Sequence, residues 1–150
     1  MFFGDLEPYR YRISAELTDV IAVGWLCSGR CYPQDSPTAE FVGALDRLLS
    51  SHRVNQTRGY HVCDFCSKAP LIHETQSEKK VMLGSAEIWV PSLERAVIYA
   101  APDLIYHYLK EHRYLPPIEF INGALSASDS RDWDANTECK QRLEAAWSAL

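Results

Sequence analysis

Two short motifs constrain this chain more than anything else in it: Cys63 and Cys66 in "GYHVCDFCSK", and His107 and His112 in "IYHYLKEHRY". Two cysteines with two residues between them suit a tight knuckle, in which one turn aims both sulfurs at a single ion. Zinc takes four such ligands in a tetrahedron, from thiolate sulfur and imidazole nitrogen, and His-x4-His lies within the spacing of Cys2His2 sites. In an ideal helix a five-residue step overshoots convergence by about 140°. His112 is therefore expected where the helix loosens or tightens, and Pro116 and Pro117 place the helix end just beyond it.

Together the four residues predict a closed, structural Zn2+ site. His61 and His73 are alternative ligands. The stretch between the pairs far exceeds the spacer of about 12–15 residues in a small nucleic-acid-binding finger, so the ion is expected to clamp a larger domain. A full Cys2His2 set leaves no open coordination position, which argues for structure and against catalysis. Cys27 and Cys31, with three residues between them, have a spacing that could bind a second metal but read as packing and a free thiol, and Cys139 reads as core.

The surrounding chain suits a clamp of this kind. Its 150 residues are enough to bury a hydrophobic core without a disulfide framework. The five cysteines are an odd number, which also favours metal over disulfide chemistry in a cytosolic context. No run of 18 apolar residues predicts a membrane span, and the start lacks the basic and long apolar regions of a signal peptide. A cytoplasmic protein with no membrane partner is the expectation. Fifteen basic and twenty acidic residues are spread along the chain without a basic stripe, which argues against nucleic-acid binding. The most acidic stretch, "DSRDWDANTE", reads as a solvated helix start, with a contact surface for a basic partner as its sharper reading.

Periodicity predicts an α+β fold in a single compact domain over 1–150. It divides into an N-terminal strand and helix (1–58), a zinc knuckle–β-hairpin–helix unit (59–125) and a C-terminal helix (126–150). The opening residues read as irregular. "VIAVGWLC" reads as a buried strand. Ser36 and Pro37 suit the N-cap and first position of a helix with Phe41, Leu45, Leu48 and Leu49 on one face. The polar stretch 67–86 reads as a loop. "AEIWV" and "AVIYA" predict a β-hairpin. Pro102 and Asp103 suit the opening of the histidine helix. Ile118, Ile121 and Leu125 share one side of a short helix, "SASDSRD" follows as a connector, and a last helix from about Asp134 aligns Cys139, Leu143, Ala146 and Trp147. Tyr9, Tyr11, Tyr99, Tyr106, Tyr108 and Tyr114 read as packing, or as a recognition surface where exposed.

The segments "VGWLC", "TRGYHVCDFC", "AEIWVP" and "YAAPDLIYHYLKEHRYLPPIEF" resemble a family of small bacterial proteins of uncharacterised function. The resemblance covers about residues 5 to 125, and "AAPxLIxHYxxxHxYxPPxEF" is its most specific part. It implies a zinc site at Cys63, Cys66, His107 and His112, and no activity. Other signatures fail. The deaminase pattern needs His-x-Glu before Pro-Cys-x-x-Cys, whereas "HET" follows the cysteines and Val62 replaces the proline. The His-Glu-x-x-His helix of zinc hydrolases is absent because Tyr108 follows His107. A thioredoxin-like site would need a βαβ context.

Three functions remain open. The first is a non-catalytic, zinc-stabilised protein-binding domain, most concretely an immunity protein or inhibitor that neutralises a basic toxin such as a nuclease. Its acidity would steer that pairing, and a small-molecule substrate is not expected. The second is a metal-dependent hydrolase or nuclease, for which Glu111 and Asp64 are the carboxylates nearest the motifs. The third is a zinc-finger-like nucleic-acid-binding regulator.

Overall fold

The computed structural model describes residues 2–10 and 17–149. In chain order the elements are β1 (Val20–Ala22), α1 (Ala39–Ser51), β2 (Arg53–Val54), β3 (Leu71–Glu74), β4 (Lys80–Leu83), β5 (Glu87–Pro91), β6 (Ile98–Pro102), α2 (Ile105–His112), α3 (Ile118–Asp129) and α4 (Ala135–Ser148). This is an α+β fold built on a mixed four-stranded sheet, ordered β1-β6-β5-β2, with β3 and β4 forming a separate two-stranded sheet.

β5 and β6 form the expected hairpin, antiparallel and in register from Glu87↔Pro102 to Pro91↔Ile98. All five residues of each strand are buried, so side chains of opposite pleat enter two different packing layers. On one side Tyr99 and Phe120 meet edge to face, and α3 lies so close that a Cβ on Gly123 would stand 2.5 Å from the Pro91 carbonyl oxygen. On the other side Trp89 meets Tyr9, and Tyr9 meets Trp25. The N-terminal segment closes that layer by hydrogen bonding along β1, from Leu6 N to Ala22 O and from Tyr9 N to Val20 O. These opening residues are irregular, as expected, apart from an isolated bridge between Pro8 and Ile21.

The apolar run that begins at Val20 is buried at Val20, Ala22, Val23 and Trp25 but is a strand for only three residues. Beyond Ala22 the chain turns through Gly24, whose φ of 78° lies in the left-handed region. Trp25 then reaches back, and its indole donates to Ala100 O at 2.9 Å.

Helix boundaries differ from expectation where side chains have other partners. Thr38, rather than Ser36, is the N-cap of α1, accepting from Phe41 N at 3.2 Å. The apolar face is as expected: Phe41, Leu45, Leu48 and Leu49 are all buried. Pro102 ends β6 and Asp103 does not cap α2. The Asp103 carboxylate instead accepts from Gly84 N at 2.6 Å and pairs with Arg53 at 3.1 Å, pinning a loop to the sheet. Burial nevertheless raises the Asp103 pKa, against the opposing pull of Gly84 and Arg53.

α3 continues through Ser126–Asp129, where a connector is expected. Its buried face is Phe120, Gly123, Ala124 and Ala127, while Ile118 is exposed, because small residues allow the close approach to β5. α4 starts where expected, with Asp134 as its N-cap accepting from Thr137 N. Cys139 is buried, and Trp147 faces solvent instead of sharing the inner face. Trp133, just before α4, anchors the acidic stretch by donating its indole N–H to Trp89 O at 2.8 Å.

The largest correction concerns 67–86. This polar stretch is no loop: β3 and β4 pair antiparallel from Leu71↔Leu83 to Glu74↔Lys80. Along β4 buried and exposed residues alternate, as in a strand with one face covered. Polar contacts fasten the hairpin to α1. His73 Nε2 meets Asp46 Oδ1 at 2.6 Å, Gln76 N donates to Asp46 Oδ2 at 3.0 Å, and Lys79 Nζ donates to Ser50 O at 2.9 Å.

Candidate metal centre

Cys63 and Cys66 lie on the segment between β2 and β3, and the sheet fixes where that segment runs. Thr57 N donates to Ser85 O at 2.7 Å and His61 N to Gly84 O at 2.8 Å. Gly84 is required at this crossing. Its φ is 97°, and a Cβ there would overlap the His61 carbonyl oxygen. Next comes the knuckle, where the Phe65 N–H points at Cys63 Sγ from 3.4 Å. The Phe65 ring packs against Tyr32, Tyr108 and His112, which presses the turn onto α2.

α2 supplies the two imidazoles. His107 is buried within the helix and His112 is its last residue. The helix does loosen there, as the five-residue spacing requires. Arg113 adopts the left-handed conformation at φ 54°, and its N–H reaches five residues back to Tyr108 O. A last turn closed over five residues is wider than α-helical and lets His112 swing toward the side occupied by His107. Outside contacts hold this ending. Tyr32 OH donates to His112 O at 3.0 Å, Asp35 N to Arg113 O and Leu115 N to Pro33 O, both at 2.9 Å.

The result is a convergence of two segments that are distant in sequence. Cys63 Sγ lies 3.4 Å from His112 Nε2, Cys66 Sγ lies 3.4 Å from His107 Nε2, and the two Nε2 atoms are 3.2 Å apart. All four ligand atoms fall within 4.8 Å of one another, an arrangement that can hold a metal ion. A tetrahedral zinc with the usual bond lengths requires ligand edges of about 3.5 Å for sulfur–nitrogen and about 3.3 Å for nitrogen–nitrogen. The three separations match those edges.

Electrostatics points the same way. Burial is the main cause of the lowered His107 pKa, and His112 beside it adds to the effect, so the ring is held neutral with a lone pair to offer. Burial likewise raises the Cys63 thiol. An ion would reverse that, since a coordinated thiol loses its proton.

The other residues singled out by sequence stand elsewhere. His61 is fastened through its backbone to Gly84, and His73 is held by Asp46 and stacks on Tyr106 at 4.2 Å; neither belongs to the cluster. Cys27 and Cys31 form no second cluster among the described residues. Cys139 is core, its thiol donating to Asn55 Oδ1 and pushed up to about 12 by burial. Glu111 pairs with Lys68 at the surface, and Asp64 accepts from Ser28 N. Tyr9, Tyr99, Tyr108 and Tyr114 are buried, as packing predicts, while Tyr11 lies outside the described residues.

One group escaped the sequence reading altogether. Glu87 opens the apolar β5 and is 3% exposed, with no Lys, Arg or His within ion-pair distance among the described residues. Its carboxylate accepts from Tyr9 OH and Trp89 Nε1, and burial pushes its pKa up to about 7. The available signal was the i, i+2 spacing of Glu87 and Trp89, which puts the acid on an inward face.

Among the described residues no helix is long and apolar enough to cross a membrane. No curated protein and no solved structure matches the chain. A family model matches residues 1–125, ending inside α3 and leaving α4 outside. The chain therefore belongs to the family described as Domain of unknown function (DUF7919).

Proposed function

We propose that the chain is a non-catalytic binding domain stabilised by one structural Zn2+ held by Cys63, Cys66, His107 and His112. The observation that carries this is the match between three sulfur–nitrogen and nitrogen–nitrogen separations and the edges of a zinc tetrahedron. Two thiolates and two neutral imidazoles would neutralise the ion and fill its coordination. The ion would then supply folding free energy and would lack the open position that hydrolysis requires. Neither carboxylate near the motifs favours the enzyme reading, since Glu111 and Asp64 have the other partners described above.

For the binding role, support comes from charge and surface. The net charge is −5, and Tyr60, Val62, Ile72 and Met82 are large exposed apolar residues on either side of the knuckle in sequence. Ile72 and Met82 are cross-strand partners on the outer face of the β3–β4 hairpin. An acidic protein presenting such residues suits a basic partner, as in an immunity protein that masks a toxin within a reducing cytoplasm.

Metal analysis tests the first half of the proposal: about one zinc per chain is expected, falling below a tenth in Cys63→Ser. A stable, metal-free wild-type protein overturns it. Co-purification with the product of a neighbouring gene, and protection against that product when both are expressed, tests the second half. Absence of both binding and protection removes the inhibitor reading.

A further inference from the structure

A cavity of about 110 Å³ lies between the knuckle segment and the open end of the β5–β6 hairpin. One buried water needs about 10–15 Å³ of such space, so the cavity has room for a side chain. Its buried lining includes Trp25, Pro102, Leu104 and Tyr108, while His61, Val62 and Asp64 line it as exposed residues. The cavity therefore opens to solvent on the knuckle side, beside the exposed apolar residues Tyr60 and Val62.

Two polar groups of the lining have capacity to spare. Tyr108 is buried, yet its hydroxyl has no hydrogen-bond partner among the described residues and keeps accessible surface. Asp64 accepts from Ser28 N at 3.4 Å, a long contact that leaves its carboxylate largely open. The two lie close enough for that carboxylate to act on the phenol. The other polar lining is already engaged. Ser85 Oγ accepts from Arg53 and Gln56 and donates to Met82 O. Glu87 is held by Tyr9, Trp89 and Asn55. The Trp25 indole N–H donates to Ala100 O, so that residue offers only its ring.

The charge of the lining is one-sided. Asp64 and Glu87 line the cavity, and no lysine or arginine among the described residues does. Arg53 reaches Ser85, but its charge is paired with Asp103. His61 stands at the exposed side, where water screens whatever charge it carries. Apolar walls with acceptors near the opening suit a cation on an alkyl stem. We infer that this cavity is the anchor pocket for a lysine side chain of the partner protein. Its stem lies against Trp25, Leu26 and Leu104, and its ammonium donates to the Tyr108 hydroxyl oxygen and the Asp64 carboxylate. A compact ammonium with three donors suits two separate acceptors, whereas the planar fork of arginine suits a single carboxylate. This rests on the binding role proposed above and names the group by which the partner is held.

The test is titration of the intact protein with acetyl-Gly-Lys-Gly-amide, followed by proton–nitrogen correlation NMR at the Trp25 indole and the Val62 and Asp64 amides. Peptides with norleucine, arginine or glutamate in place of the lysine, and free butylammonium, are the comparisons. The lysine peptide is expected to bind at least tenfold more tightly than the norleucine peptide, which keeps the stem and lacks the charge. Tyr108→Phe removes a hydroxyl without a partner, so it is expected to weaken binding fivefold or more with Tm and zinc content unchanged. Asp64→Asn, at an exposed position, is expected to do the same. Equal binding of the lysine and norleucine peptides, tighter binding of the arginine or glutamate peptide, binding of butylammonium but not of the lysine peptide, or full affinity in both variants would each overturn the inference. A failed titration leaves the partner test of the binding role standing, and a partner that binds both variants as it binds wild type removes the lysine anchor alone.

Discussion

The metal cluster and the Glu87 cluster are neighbours that bury ionisable groups in opposite ways. Around Cys63, Cys66, His107 and His112, four ligands from two distant segments converge on one point, and desolvation there is offset once an ion is shared among them. Around Glu87 a single acid is buried with neutral donors from Tyr9 and Trp89, and no cation accompanies it among the described residues. One arrangement would gain stability from an ion that it can hold. The other carries a standing cost, which is a common mark of a site shaped for something besides stability.

The largest effect that would break this contrast is at the metal. Cys63→Ser, or a strong chelator, is expected to lower unfolding free energy by more than about 3 kcal/mol, read by denaturant titration beside metal stoichiometry. Equal stability with and without the metal would place the two clusters in one class.

Next is Glu87→Gln, where the sign is opposite. The folded-state pKa is raised to about 7 from an ordinary 4.5, so the folded state binds the proton more tightly. This contribution to stability is fully present below pH 4.5 and is lost as the pH rises through 7. At pH 8 the glutamine variant is expected to be more stable than wild type by on the order of 3 kcal/mol, with the gap closing toward pH 4. A pH-independent gap would mean that Glu87 is not the titrating group.

Tyr9→Phe sharpens the same side of the comparison. Removing the hydroxyl takes a donor from the carboxylate, and a loss of about 1–2 kcal/mol is expected above pH 7, with a smaller loss in acid. A loss that stays equal across that range would assign Tyr9 to packing alone. The smallest effect is expected from Lys68→Ala. Its pairing with Glu111 at 3.5 Å is solvent-exposed at the rim of the metal cluster, and such pairs contribute about 0–1 kcal/mol. A change well beyond that range would show that the cluster depends on its rim charges as well as its ligands.

Much of this was legible along the chain. The ligand set follows from two local spacings, and the requirement for a loosened helix end follows from the angular mismatch of His107 and His112; Arg113, in its left-handed conformation, meets it. The α1 core face and the β5–β6 hairpin also follow from local periodicity. The β3–β4 hairpin was hidden because its strands have four residues each and one polar face, so their pattern resembles a loop until the other face is covered. Asp103 misled for a related reason. An Asp after a proline has the look of a helix start, but a buried backbone N–H at Gly84 and the Arg53 guanidinium claimed it first.

The sequence by itself determined which residues can ligate a metal, which apolar faces must be buried and that the fold mixes strands with helices. These are properties of spacing and side-chain chemistry, and they survive any arrangement that satisfies them. Only the tertiary structure decided that Glu87 would be enclosed and that Asn55 would lie beside it. Their surroundings come from Tyr9, Trp25, Trp89 and Cys139, which the fold alone brings together. Burial and partnership are sums over neighbours far away in the chain, and no local pattern carries them.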